Sequence, residues 1–257
     1  MVKVLHPRTR AEEYEYRAKH LKDEFHMSGD GPKSTAFRID KVLRHVPFAS
    51  GDRVLDIGPG KGLLFERIHA RVTECCGIDV TPAMVERLKE KFDGYRNVSL
   101  TVGWSKNLPY PSAYFDKVLM TGAFCLQETK EECMQTLAEI RRVAKPDALI
   151  FISDIAIVDE STLSPERLSP ISRVTRRFRQ DGPVDFIRSI TGFVVRKTRV
   201  ILEVEPVIVE STRGSWFPHE EFIAMCRSAG LDARGFQTEM IIGLSPSRND
   251  YLIRPLS

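Results

Sequence analysis

Several things are missing from this 257-residue chain, and each absence excludes something. No apolar run approaches the ~20 residues that carry a helix across a bilayer, so no membrane span is expected. The opening Met1-Val2-Lys3-Val4-Leu5-His6-Pro7-Arg8 has no apolar core of the secretory kind, and the expected location is the cytoplasm. There is no Cys-x-x-Cys pair. The five cysteines, Cys75, Cys76, Cys125, Cys133 and Cys226, are odd in number and lack ligand spacing. Neither a disulfide framework nor a metal site is expected, and the thiols read as buried and free. Net charge is only +3, too small a balance to imply nucleic acid or a membrane surface. Neither internal repeats nor low-complexity segments occur. What remains is 42% hydrophobic and 28% charged, the composition of an ordinary globular protein long enough to bury a substantial core.

The most informative stretch is Val54-Leu55-Asp56-Ile57-Gly58-Pro59-Gly60-Lys61-Gly62. An apolar pair ends a strand, glycine recurs at every second position, and Leu63 to Ile68 then takes the apolar period of a helix. Strand, glycine turn and helix open a nucleotide-binding unit, because the backbone must turn sharply and a ligand must approach where a Cβ would collide. A second strand, Cys75 to Val80, ends in Asp79, about 20 positions after Gly60; at that offset a carboxylate can accept from ribose hydroxyls. Thr81 is placed to cap the next helix, with Pro82 at its first position.

The order continues. Asn97 to Val102 reads as a third strand closing at Gly103-Trp104-Ser105, and Tyr114 to Met120 as a fourth leading into Thr121-Gly122-Ala123. Thr129 and Glu132 have capping-box spacing before a helix that stops at Lys145-Pro146, and a fifth strand runs from Ala148 to Asp154. Five strands alternating with helices imply a parallel, doubly wound sheet. Before them, a helix over residues 10 to 27 carries Ala11, Tyr14, Ala18, Leu21 and Phe25 on one stripe, and a second helix runs from Ser34 to about His45. Pro218 to Ala229 forms a last helix, followed by two strands near Gln237 to Gly243 and Asn249 to Arg254.

Asp-x-Gly-x-Gly-x-Gly at residues 56 to 62, together with Asp79, the approach Leu108 to Met120 and the run Leu137 to Pro146, resembles the class I S-adenosylmethionine-dependent methyltransferases over residues 53 to 154. The resemblance implies an α/β fold with a doubly wound, mostly parallel seven-stranded sheet, its last strand antiparallel, an N-terminal helical cap and an insertion after strand five. It divides the chain into a cap (1–48), a core that binds S-adenosyl-L-methionine (49–154), a substrate-shaping insertion (155–215) and a C-terminal helix and strands that complete the sheet (216–257). It also implies that Asp56, Gly58, Pro59, Gly60, Asp79, Val80, Trp104, Ser105, Thr121 and Gly122 hold the cofactor. Two departures stand out. Trp104 occupies a turn where the family usually has an acid for the adenine amine; it could stack on the base or serve only packing. Asp147-Ala148 replaces the usual Gly-Gly. With no Pro-Cys dipeptide and no Asn-Pro-Pro-Tyr-like tetrapeptide, methylation of cytosine C5 and of adenine or glutamine amides is disfavoured.

Between Arg173 and Arg199 the insertion is strongly basic, with Arg176, Arg177 and Arg179 close together. Guanidinium groups pair bidentately with phosphate or carboxylate, so an anionic substrate is one reading and a solvated face the other. Tyr14, Arg176, Arg177 and Trp216 are the candidate substrate contacts. His26, at the end of the cap, is the candidate general base, with His20, His219, Tyr14 and Glu210 behind it. The expected activity is methyl transfer to O, N or C of a small molecule. RNA is the less favoured substrate, and a silent scaffold with the same fold is the third reading. The sequence leaves the oligomeric state open.

Overall fold

The computed structural model describes residues 3–5, 7–20, 32–157, 183, 191, 207–209, 217–240 and 244–256. In chain order its elements are β1 (Lys3–Leu5), α1 (Arg10–His20), α2 (Pro32–His45), β2 (Arg53–Ile57), α3 (Leu63–Ile68), β3 (Glu74–Asp79), α4 (Pro82–Lys91), β4 (Val98–Val102), β5 (Phe115–Thr121), α5 (Lys130–Val143), β6 (Ala144–Ala156), β7 (Val207–Val209), α6 (His219–Ser228), β8 (Leu231–Glu239) and β9 (Leu244–Pro255).

Seven strands form one sheet in the order β4-β3-β2-β5-β6-β9-β8. The first five are parallel, and β9 runs antiparallel to both of its neighbours. The alternation of strand side chains sorts the core into two layers. Leu55, Ile57, Val118, Met120, Ile150 and Ile152 join residues of α5 and α6 on one face. Val54, Leu119 and Phe151 join Val42 and Val46 at the C-terminal end of α2, Phe65 and Ile68 of α3 and Leu88 of α4 on the other. A strand covered on both faces needs near-continuous apolar residues, which is why β2 and β5 read as runs rather than alternations. Each fully buried Leu or Phe in these layers contributes roughly 1.5–3 kcal/mol.

Strands β1 and β7 lie outside this sheet and pair with each other in parallel, Lys3 beside Val207 and Leu5 beside Val209. Four of the thiols, Cys75, Cys76, Cys133 and Cys226, are buried, and Cys125 is half-buried; all five are free.

Local boundaries differ from the sequence reading in four places, each for a physical reason. Helix α2 begins at Pro32, so Ser34 lies inside its first turn; proline is pre-organised for a first turn and starts the helix earlier than the serine would. Thr81 occupies the N-cap of α4, but its side chain makes no capping bond. The Thr81 N–H instead donates to Asp79 Oδ1 at 2.9 Å. Strand β6 begins at Ala144, directly after α5, with its register against β5 shifting between Phe115 and Lys117. Pro146 is tolerated there because that stretch is exposed, not in the ladder's centre. Strand β8 begins at Leu231, immediately after the Gly230 turn, because its pairing with β9 extends to Pro255.

Candidate functional site

Strands β4, β3, β2, β5 and β6 all point their carboxyl ends to the same side, and β2 is where the strand order reverses. Ligands of open α/β sheets bind in the crevice at such a reversal. Here the crevice is a cavity of about 450 Å³.

The glycine turn forms one wall. Gly58, Gly60 and Gly62 all have positive φ, at 75°, 54° and 67°. They are not equivalent. A Cβ on Gly62 would lie 2.6 Å from the Phe92 ring and 2.9 Å from Leu88, so this glycine lets the turn close on α4. A Cβ on Gly58 would lie 2.7 Å from that of Ala123. A Cβ on Gly60 would meet nothing within 4 Å. Gly60 lines the cavity, so a side chain there would occupy ligand space.

Every cofactor residue expected from sequence lines this cavity: Asp56, Gly58, Pro59, Gly60, Asp79, Val80, Trp104, Ser105, Thr121 and Gly122. So does Tyr14, from α1. His26, Arg176, Arg177 and Trp216 lie outside the described residues, as do Arg179 and Glu210. His219 is elsewhere. Its Nδ1 is 3.0 Å from the Tyr251 hydroxyl and 3.0 Å from Asn249 Nδ2, and its ring stacks on Tyr251. That packing against β9 makes it a structural histidine, not a base at the cavity.

Two carboxyls sit side by side at the ends of β2 and β3. Asp56 is 6% exposed. Burial, and then the neighbouring charge of Asp79, push its carboxyl from the ordinary 3.8 up to about 7. Burial also raises the Asp79 carboxyl, while its bonds from Thr81 work against that rise. A cation or hydroxyl donor in the cavity would relieve both groups.

At the β4 end, Trp104 is 47% exposed, so packing is not its main role. Lys106 Nζ lies 4.9 Å from the ring centroid, a cation–π distance. Lys106 also pairs with Glu132. The Ser105 hydroxyl is committed to a small network, 3.0 Å from Thr136 Oγ1 and accepting from Gln127 Nε2 at 3.1 Å. Gln127 and Glu128 join the lining from the loop after β5, and sequence reading did not single them out.

The largest group missed from sequence comes from α2. Thr35, Arg38, Ile39 and Val42 line the cavity at helical spacing, with Thr9 and Ala11 beside Tyr14. The sequence reading places this helix but names none of its residues at a site, and a threonine and an arginine on a helix face carry no hydrophobic signal. Together these residues roof the cavity.

Residues 54–147 match the family model of a methyltransferase domain. A probable ribosomal RNA small subunit methyltransferase A of Methanosarcina mazei is 31% identical over 81 residues, 32% of this chain and 29% of that protein. A demethylmenaquinone methyltransferase of Tropheryma whipplei is 28% identical over 109 residues, 42% of this chain and 43% of that protein. The chain therefore spans less than half the length of these curated relatives. Its fold resembles that of phosphoethanolamine N-methyltransferase 1 of Haemonchus contortus, solved with phosphoethanolamine and S-adenosylhomocysteine. The TM-score is 0.67 at 13% identity, covering 95% of this chain and 47% of that one. Residues 54–147 are thus a methyltransferase domain, and the fold of the chain is the class I, Rossmann-like fold of the S-adenosylmethionine-dependent methyltransferase family. S-adenosyl-L-methionine is the cofactor of that family. The cavity suits it: Gly60 leaves open space, and two carboxyls face a ligand that carries ribose hydroxyls and positive charge.

Proposed function

We propose that the protein is a methyltransferase that transfers a methyl group from S-adenosyl-L-methionine to O, N or C of a small molecule. The observation that carries this reading is the convergence of Asp56, Gly58, Gly60, Asp79 and Gly122 on one cavity within the stretch that matches the methyltransferase domain. Asp79 would take the ribose hydroxyls, Trp104 would face the base, and the backbone at Gly58 and Gly60 would admit the rest. Bound there, S-adenosyl-L-methionine supplies an electrophilic methyl group and leaves as a neutral thioether. Because charge is lost rather than developed, the protein's task is chiefly to hold two reactants in line, worth roughly 7–11 kcal/mol of the barrier.

Residues of α1 and α2 add a wall to the cavity, and this bounded space supports a small acceptor over a polynucleotide. RNA is the second reading, supported by the similarity to the ribosomal RNA methyltransferase over 81 residues. In the first reading Arg176 and Arg177 receive an anionic part of the substrate, Trp216 lines its pocket and His26 serves as base; all four lie outside the described residues. The division into cap, core, insertion and C-terminal completion, and a cytoplasmic location, belong to the same proposal. Among the described residues no helix is long and apolar enough to cross a membrane.

Calorimetric titration with S-adenosylmethionine and S-adenosylhomocysteine, with NAD as control, is the test. Binding of the first two and not of NAD is expected. If neither binds, the methyltransferase reading fails.

A further inference from the structure

Among the described residues, Ala113 and Asp154 are the non-glycines with positive φ. Asp154 stands at φ 67°, at the carboxyl end of β6, where the pairing with β9 shifts register between Ile152 and Ile155. Non-glycine residues rarely adopt this conformation, and where they do the surrounding structure must over-determine it. Here it does. The Asp154 N–H donates to Asp250 Oδ1 at 2.9 Å, and Asp250 is wholly buried. The same Asp250 oxygen accepts from Thr238 Oγ1 at 3.0 Å, and its other oxygen takes Lys41 Nζ at 2.7 Å. On the outer side, Arg248 Nη1 donates to the Asp154 carbonyl at 2.9 Å and lies 3.2 Å from its Oδ1.

The remaining oxygen lies beside Gly122, although Asp154 is not itself among the residues that line the cavity. Asp154 Oδ2 lies 3.7 Å from where a Cβ on Gly122 would be, and Arg38 Nη1 lies 3.7 Å from the same point. Gly122 and Arg38 both line the cavity. Gly122 is thus a lining residue with this carboxylate close behind it. The strand order fixes which end of the cavity this is. Residues suited to adenosine, Asp79 and Trp104, lie at the ends of β3 and β4; β6 is three strand spacings beyond β3, roughly 14 Å.

We propose that Asp154 is the acceptor-side carboxylate of the site: its Oδ2 takes an N–H or O–H of the substrate and holds that nucleophile toward the methyl group. This rests on the methyltransferase reading and narrows it, from O, N or C acceptors to amine or hydroxyl compounds. The strained backbone is then what aims a carboxylate inward from a strand end, and the Lys41–Asp250–Thr238 network is what holds it there.

The test needs no substrate. Sinefungin carries a primary amine on the carbon that replaces the sulfonium of S-adenosylmethionine, so its N–H groups stand where the methyl group would. Calorimetry compares its affinity with that of S-adenosylhomocysteine. The wild-type protein should prefer sinefungin by about tenfold or more, the scale of a charge-assisted hydrogen bond. Asp154→Asn should abolish that preference and leave S-adenosylhomocysteine affinity unchanged. Asparagine tolerates the left-handed conformation; if this variant does not fold, Asp154→Gly removes the carboxylate without backbone strain. Arg248→Ala removes the outer ion pair but keeps the carboxylate, and should keep the preference. If both ligands bind the wild type equally, or if Asp154→Asn retains the preference, Asp154 is not the acceptor-side group and the cofactor assignment still stands. If neither ligand binds the wild type, the cofactor assignment fails and this inference fails with it.

Discussion

Lys41 Nζ sits 2.7 Å from Asp250 Oδ2, and the two side chains keep 3% and 0% of their surface. One comes from the helix that roofs the cavity and the other from the antiparallel strand of the sheet. Removing one member of such a pair leaves the other charge buried, at a cost of about 3–5 kcal/mol. Lys41→Met should therefore lower stability by that amount, read as a shift in the urea midpoint at constant slope. A loss below about 1 kcal/mol would show that the pair is not held as described.

The glycines of the turn should separate by effect. Gly60→Ala places its methyl in open cavity, so it should weaken S-adenosylhomocysteine binding while costing only about 1–2 kcal/mol of stability from the left-handed backbone. Gly62→Ala drives the methyl against Phe92 and Leu88, adding about 1–3 kcal/mol for overpacking. Thermal unfolding and calorimetry on both variants check the order; equal effects on binding and stability in the two would contradict it.

Asp56 should make stability fall with rising pH. Its carboxyl ordinarily ionises near 3.8 and here near 7. Between those values the folded state holds a proton that the unfolded state has lost. The stabilisation is therefore complete below about pH 4 and is lost as pH rises to about 7, by as much as about 4 kcal/mol. Asp56→Asn should flatten that window in denaturant titrations. S-adenosylmethionine brings a positive sulfonium that favours the ionised carboxylate, so its affinity should climb through about pH 7. The neutral sulfur of S-adenosylhomocysteine should give a shallower climb, measurable by calorimetry across the same range.

Trp104→Ala should weaken cofactor binding by roughly 1–3 kcal/mol, the worth of an aromatic ring under a base. At 47% exposure the ring contributes little to the core, so the unfolding midpoint should barely move. Unchanged affinity would return Trp104 to a purely surface role.

The sheet was legible because both faces are buried: strands such as Val54 to Ile57 need apolar residues, and their glycine and acid terminators are local signals. The positions lining the cavity from Asp56 to Gly122 were legible for the same reason, being tied to strand ends. The roof was not. Arg38 and Thr35 face the cavity from a helix whose apolar stripe identifies only its packing side. Asp154 was hidden more deeply. Its role depends on a register shift and on Asp250, nearly a hundred positions away, and no local pattern reports a long-range hydrogen bond. The insertion's arginines were conspicuous as charge, but charge alone does not fix where a segment lies.

Strands β1 and β7 join residues 3–5 to residues 207–209, across most of the chain. Closing so large a loop gives up chain entropy before any contact rewards it, and such distant pairings form late. The sheet and its glycine turn can assemble from nearer neighbours first. The nucleotide crevice is then expected to form before residues 3–5 and 207–209 are tied together.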